Sequence, residues 1–226
     1  MHVSEVVAEH NAKESSYKLA CNEFCDWTEA ELEKLRSPLP PMPTAEMTKK
    51  EAPINPKKVA ATIDWRAYNG VNYVSPIKNQ GACGSCWSFT TIAACESEFK
   101  IKNAANYFTG TIPTVNSEGF LIFSEQQLID CAKDPVVFGS YTYTNAGCNG
   151  GYLFATFDYL KQSYLTLDSV YPYAAADGTC TYTAAGSTGL LLSTYEYTYS
   201  QVALTIKALV EVKPIAVGIA AYSTAF

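Results

Sequence analysis

Residues 80–89, Gln-Gly-Ala-Cys-Gly-Ser-Cys-Trp-Ser-Phe, place a thiol, Cys86, between a glycine-bearing turn and the start of a helical pattern. Beyond it Phe89, Ile92, Ala93, Cys95 and Phe99 are apolar while Glu96, Glu98, Lys100 and Lys102 are charged. This spacing predicts a helix opening near Cys86. The free N–H groups and positive dipole end of such a helix favour a thiolate, the form of cysteine that attacks a carbonyl carbon. Six residues earlier, Gln80 offers a side-chain amide; with the Cys86 backbone N–H it makes a two-donor cradle for the oxyanion of an acyl intermediate. A second chemistry shares the pattern, because Cys83-Gly84-Ser85-Cys86 is also the C-x-x-C of thiol–disulfide exchange. That chemistry needs a free Cys83 and a strand just ahead of it, where Lys78-Asn79-Gln80-Gly81 stands instead.

The ten-residue run resembles the active-site signature of papain-like cysteine proteases, the cathepsin L-like group in particular. Further matches follow in the family's order: Asp64-Trp65-Arg66, Ser124 to Cys131, Gly147-Cys148-Asn149-Gly150-Gly151-Tyr152, Tyr171-Pro172-Tyr173 and Pro214 to Ile219. The resemblance implies an α+β, papain-like fold with a helical left domain and a β-rich right domain, the latter incomplete here. It implies Cys86 as nucleophile and Gln80 as oxyanion donor. Gly150 and Gly151, lacking a Cβ, let a substrate backbone pair closely, and Tyr152 and Gly218 match positions lining a pocket for an apolar P2 side chain. It also pairs Cys83 with Cys148 and Cys131 with Cys180, leaving Cys86 free. No cofactor is implied, and no second closely spaced Cys/His pair completes a zinc site.

The chain contains two histidines, His2 and His10, whereas the family's catalytic His and its orienting Asn belong beyond Phe226. An imidazole is needed to make the thiol an efficient nucleophile. The expectation is therefore a cysteine endopeptidase zymogen fragment, truncated at both ends and with little activity as it stands. The alternative is a non-catalytic papain-fold binding protein.

Residues 1–58 read as the end of an inhibitory prosegment followed by a linker, and residues 59–226 as the peptidase domain without its C-terminal part. Ala20-Cys21-Asn22-Glu23-Phe24-Cys25-Asp26 resembles the family's G-x-N-x-F-x-D prosegment motif, and residues 37–56 hold six of the eleven prolines. Cleavage between the two parts is expected near residues 55–62. Cys95 reads as a small buried apolar residue; Cys21 and Cys25 read as either one pair or two free thiols. Leu190 to Tyr199 and Pro214 to Ala221 read as strands, and Gln201 to Val212 as a helix. The Tyr-rich stretch between Cys131 and Cys148 is longer than the family pattern and reads as a tolerated surface loop. The net charge of −6 argues against nucleic acid as partner, and no apolar run is long enough to span a bilayer. Protein or peptide substrates and the chain's own prosegment are the expected partners of a protein that is monomeric when complete. Eight cysteines and the family resemblance point to a lysosomal, vacuolar or secreted location.

Overall fold

Helix α3, Cys86–Ile101, opens where the periodicity places it, with the Ser85 carbonyl accepting from Ser88 N (2.9 Å) and Phe89 N (3.2 Å). The structure is a computed structural model describing residues 3–36, 60–101, 115–138, 140–193, 195 and 203–219. The linker region and most of the expected cleavage zone lie outside these residues. Around α3 pack α4 (Glu125–Cys131) and α5 (Leu153–Leu160). Ser124 starts α4 by accepting from Gln127 N at 3.0 Å, a cap contributing ~1 kcal/mol. The core between these helices is Trp87, Ile92, Phe99, Phe123, Leu128, Ile129 and Leu160, closed on one side by Leu165 and Leu190.

One expected feature of α3 is reversed. Glu96, assigned to the charged face, is fully buried, because it stands four residues after Ile92 and three before Phe99 and so shares their inward stripe. Lys78 joins it there, its Nζ donating to Glu96 Oε1 (2.7 Å) and Glu125 Oε1 (2.6 Å).

The N-terminal stretch carries α1 (Val3–Asn11) and the short α2 (Glu29–Leu32), which a 3-10 turn over Glu33–Leu35 extends. A capping box begins α2: Thr28 Oγ1 accepts from Glu31 N, and Glu31 Oε2 accepts from Thr28 N at 2.7 Å. Cys21 and Cys25 are joined, which decides between the two sequence alternatives.

Among the described residues the sheet content is a single antiparallel hairpin, β1 (Val136–Phe138) with β2 (Tyr141–Tyr143), in the register Val136↔Tyr143. The Tyr-rich stretch is therefore ordered structure rather than a bare surface loop. Tyr143 is buried and meets Phe154 and Tyr152 edge-on at 5.1 and 4.9 Å. The two strands expected further on are not formed in the described residues. Leu165 N donates to Leu190 O (2.8 Å) and Leu192 N to Leu160 O (3.0 Å), single hydrogen bonds that tie this segment to the helical body without a ladder. Residues 214–219 likewise have no described strand beside them, and backbone without a paired neighbour is not a strand. Helix α6 (Ala203–Val212) forms as expected, its Val210 carbonyl accepting from Trp65 Nε1 at 2.6 Å.

Cys83–Cys148 and Cys131–Cys180 are bonded, closing sequence separations of 65 and 49. On the chain-entropy account each restrains the unfolded chain by about 4 kcal/mol, against ~2 kcal/mol for Cys21–Cys25, whose ends are four residues apart. Cys95 packs against the core, and burial pushes its thiol up to about 12.

Candidate active site

Cys86 is a free thiol at the first position of α3, on a segment pinned from three sides. The Cys83–Cys148 bond draws it to the 147–151 turn, where Gly84 N donates to Cys148 O (2.8 Å) and Trp87 Nε1 to Gly147 O (3.0 Å). Tyr173 buttresses it from the other side: its hydroxyl donates to the Gln80 carbonyl at 2.6 Å and lies 2.8 Å from Ser85 Oγ, and its ring meets Phe89 edge-on. Sequence reasoning matched Tyr171-Pro172-Tyr173 to the family without assigning this role. No local pattern carries it, since the contact spans 93 residues. Tyr173→Phe removes both hydrogen bonds and is expected to lower unfolding stability by about 1–2 kcal/mol in a denaturant titration.

Gln80 comes close to Cys83 and to the N-terminal stretch. Its Nε2 donates to the Cys83 carbonyl (2.8 Å) and to the Leu35 carbonyl (3.2 Å). The Arg36 carbonyl stands 3.1 Å from where a Cβ on Gly84 would be. Residues 35 and 36 thus run across the segment that carries Cys86.

The electrostatics at Cys86 balance two effects. Cys86 reaches solvent, yet protein surrounds its sulfur densely enough that burial pushes the thiol up, against the backbone amides of Trp87 and Cys86 itself, which favour the thiolate. The helix end therefore does not by itself make Cys86 an anion. His10, the described histidine, packs at a tilt against Tyr17 in the N-terminal stretch, 4.6 Å between ring centres.

Gly150 and Gly151 have reasons of their own to be glycine. Gly150 holds a φ of +106°, and a Cβ on Gly151 would stand 2.4 Å from the Trp87 indole. Close packing against the helix that bears Cys86 accounts for Gly151 without any substrate. Tyr152 is half-buried, its amide held by Asn145 Oδ1 (2.7 Å) and its ring by Tyr143 and Phe154. Gly218 is exposed, with open space where a Cβ would be. The exchange chemistry of a C-x-x-C pair is overturned, because Cys83 is bonded to Cys148 and is not free to act with Cys86.

A buried charge cluster lies nearby. Lys78, Glu125, Asp168 and Tyr173 line a cavity of about 320 Å3. Burial disfavours the Lys78 ammonium, but the Glu96 and Glu125 charges outweigh it and raise its pKa. Glu125 is pushed up to about 7 by burial, with Lys78 pulling back and the Glu96 charge adding to the rise. Glu96 Oε2 is buried with no hydrogen-bond partner among the described residues. The signal for this cluster was the inward position of Glu96 on its helix.

Residues 59–226 fit the family profile described as "Papain family cysteine protease". The chain belongs to the papain family. It is 37% identical over 185 residues to a cathepsin L-like proteinase of Phaedon cochleariae, an alignment covering 77% of this chain and 47% of the relative. To the germination-specific cysteine protease 1 of Arabidopsis thaliana it is 33% identical, covering 92% of this chain and 51% of the relative. Among solved structures, the digestive procathepsin L2 proteinase from Tenebrio molitor larval midgut superposes with a TM-score of 0.61 at 33% identity. That match covers 84% of this chain and 56% of the other. The papain-family chain described here thus spans about half the length of the curated relatives it matches. No helix among its described residues is long and apolar enough to cross a membrane.

Proposed function

We propose that this papain-family chain is part of a cysteine endopeptidase precursor, with residues 1–58 as prosegment and linker and residues 59–226 as peptidase domain. Cys86 is its nucleophile. Its sulfur bonds to the scissile carbonyl carbon, the C–N bond breaks, the amine leaves with a proton, and water hydrolyses the thioester. Gln80 Nε2 and the Cys86 N–H hold the oxyanion. The observation that carries the reading is the Gln80 Nε2 donation to the Leu35 carbonyl: a prosegment oxygen accepts the hydrogen bond that the acyl oxyanion would take. The same contact supports the prosegment as an inhibitor in place. Gly150 and Gly151 meet the substrate backbone, and Tyr152 and Gly218 line a pocket for an apolar P2 side chain. Passage to a lysosome, vacuole or the exterior suits three disulfides.

The proton transfers need an imidazole that the described residues do not bring to Cys86. A thiol at or above an ordinary pKa of about 8.5 is less than about 0.1% ionised at pH 5. The 226-residue chain alone is therefore expected to show no Cys86-dependent cleavage of a Phe-Arg or Leu-Arg reporter peptide. The complete product of the same transcript, freed of its prosegment, is expected to cleave it and to lose that activity on Cys86→Ala. Cleavage by the 226-residue chain that Cys86→Ala abolishes would overturn the missing-base argument. A complete product without peptidase activity would instead favour a papain-fold binding protein.

A further inference from the structure

The Cys21–Cys25 bond has no part in the chemistry above, and its position gives it one. It closes a turn in which Cys25 N donates to Asn22 O (3.2 Å), Asn22 N to Cys25 Sγ (3.1 Å) and Phe24 N to Asn22 Oδ1 (3.0 Å). Phe24 then passes the order on, with its carbonyl accepting from Trp27 N (3.1 Å) and its ring meeting Trp27 edge-on at 5.1 Å. The next residue, Thr28, opens the capping box of α2, and α2 with its 3-10 extension ends at Leu35, whose carbonyl lies on Gln80. Disulfide, aromatic turn, cap and docked carbonyl are consecutive along fifteen residues.

We propose that Cys21–Cys25 is a redox latch on the N-terminal stretch: closed, it holds α2 and the Leu35 carbonyl against Gln80; opened by a thiol reductant, it releases them. The inference rests on the reading of Gln80 as part of the catalytic site. Opening it frees the shortest loop, four positions rather than 49 or 65, and so gives up the smallest restraint on the unfolded chain. Its Cys21 is exposed to an incoming thiol, as is Cys180 of the Cys131–Cys180 bond, whereas Cys83 is 1% exposed. Opening proceeds by exchange. The reductant's thiolate attacks one sulfur and the other leaves as a thiol. A second reductant thiolate then attacks the reductant's sulfur in this mixed disulfide and the remaining protein sulfur leaves as a thiol, so that two electrons and two protons pass to the protein and the reductant becomes a disulfide. The reductant that keeps Cys86 a free thiol would thereby also unfasten the segment lying across its site.

The test is amide hydrogen exchange of residues 29–36 in the 226-residue chain, with α4 as internal reference. Peptide mapping of the oxidised protein is expected to find Cys21 joined to Cys25. Exchange over residues 29–36 is expected to rise about tenfold in Cys21→Ser/Cys25→Ser, while α4 keeps its parental rate. The parent treated with just enough dithiothreitol to open this bond alone is expected to match the variant, with faster tryptic cutting at Lys34 and Arg36. Unpaired Cys21 and Cys25 in the oxidised protein, or unchanged exchange over residues 29–36 in both the variant and the mildly reduced parent, overturns the latch. Gln80→Ala separates the two layers of the argument: it is expected to speed exchange over the same residues with the disulfide intact. If it does not, the docking of Leu35 on the site fails, whatever the latch does.

Discussion

Replacing Cys83 and Cys148 together by alanine is expected to lower the unfolding free energy by about 4 kcal/mol and the melting temperature by roughly 10 °C. The bridge closes 65 positions of sequence, and the restraint it places on the unfolded chain grows with the logarithm of that span. Its loss also leaves Gly84 N–Cys148 O and Trp87 Nε1–Gly147 O as the hydrogen bonds fastening the 147–151 turn to the Cys86 segment. Denaturant and thermal unfolding of the double variant check this. A loss under about 1 kcal/mol would mean that these contacts hold the turn without the sulfur bond.

The second large effect is a dependence of stability on pH through Glu125. Its folded pKa of about 7 lies above the ordinary 4.5, so between these values the folded protein keeps a proton that the unfolded chain gives up. Stability from this group is therefore full below about pH 4.5 and is lost as pH rises toward 7, a change of about 3 kcal/mol. The groups facing Glu125 are Lys78, Glu96 and Tyr173, with Asp168 lining the same cavity. Lys78 stays charged throughout, because its own pKa is raised. Asp64 runs the other way: Arg66 lowers it to about 2, and its contribution disappears only in stronger acid. Glu125→Gln is expected to flatten the fall between pH 4.5 and pH 7 while keeping the Lys78–Glu96 pair. An equal slope in the variant and the parent would place the proton elsewhere.

The helices were legible because their signals are local. The apolar spacing after Cys86 marks α3, and the period of residues 201–212 gives α6. Of the strands expected at residues 190–199 and 214–221, the described parts, residues 190–193, 195 and 214–219, carry no ladder: β-branched residues permit extended backbone, but a strand exists only where a second one pairs with it. In the Tyr-rich hairpin the partners are three to seven positions apart, and pairing follows. Around the site, the sequence suggested Gln80 as a donor but not the acceptor it meets, Leu35, 45 residues earlier. The Lys78–Glu96–Glu125 cluster was hidden by the habit of assigning charge to the outside. One glutamate on an apolar stripe, between Ile92 and Phe99, was its trace.

The bonded Cys83 also sets the order of events in the birth of the chain. Cys83 stands three positions from Cys86 and 65 from Cys148, and in an open chain the shorter loop closes at the lower entropy cost. Oxidation ahead of folding would capture Cys86 in the wrong bond and leave Cys148 a stray thiol. What reverses the preference is collapse, which brings Gly84 N within 2.8 Å of the Cys148 carbonyl and turns Cys86 away as the first residue of a helix. The newly made protein must therefore fold before its sulfurs pair, or pass through the hands of a disulfide isomerase on the way.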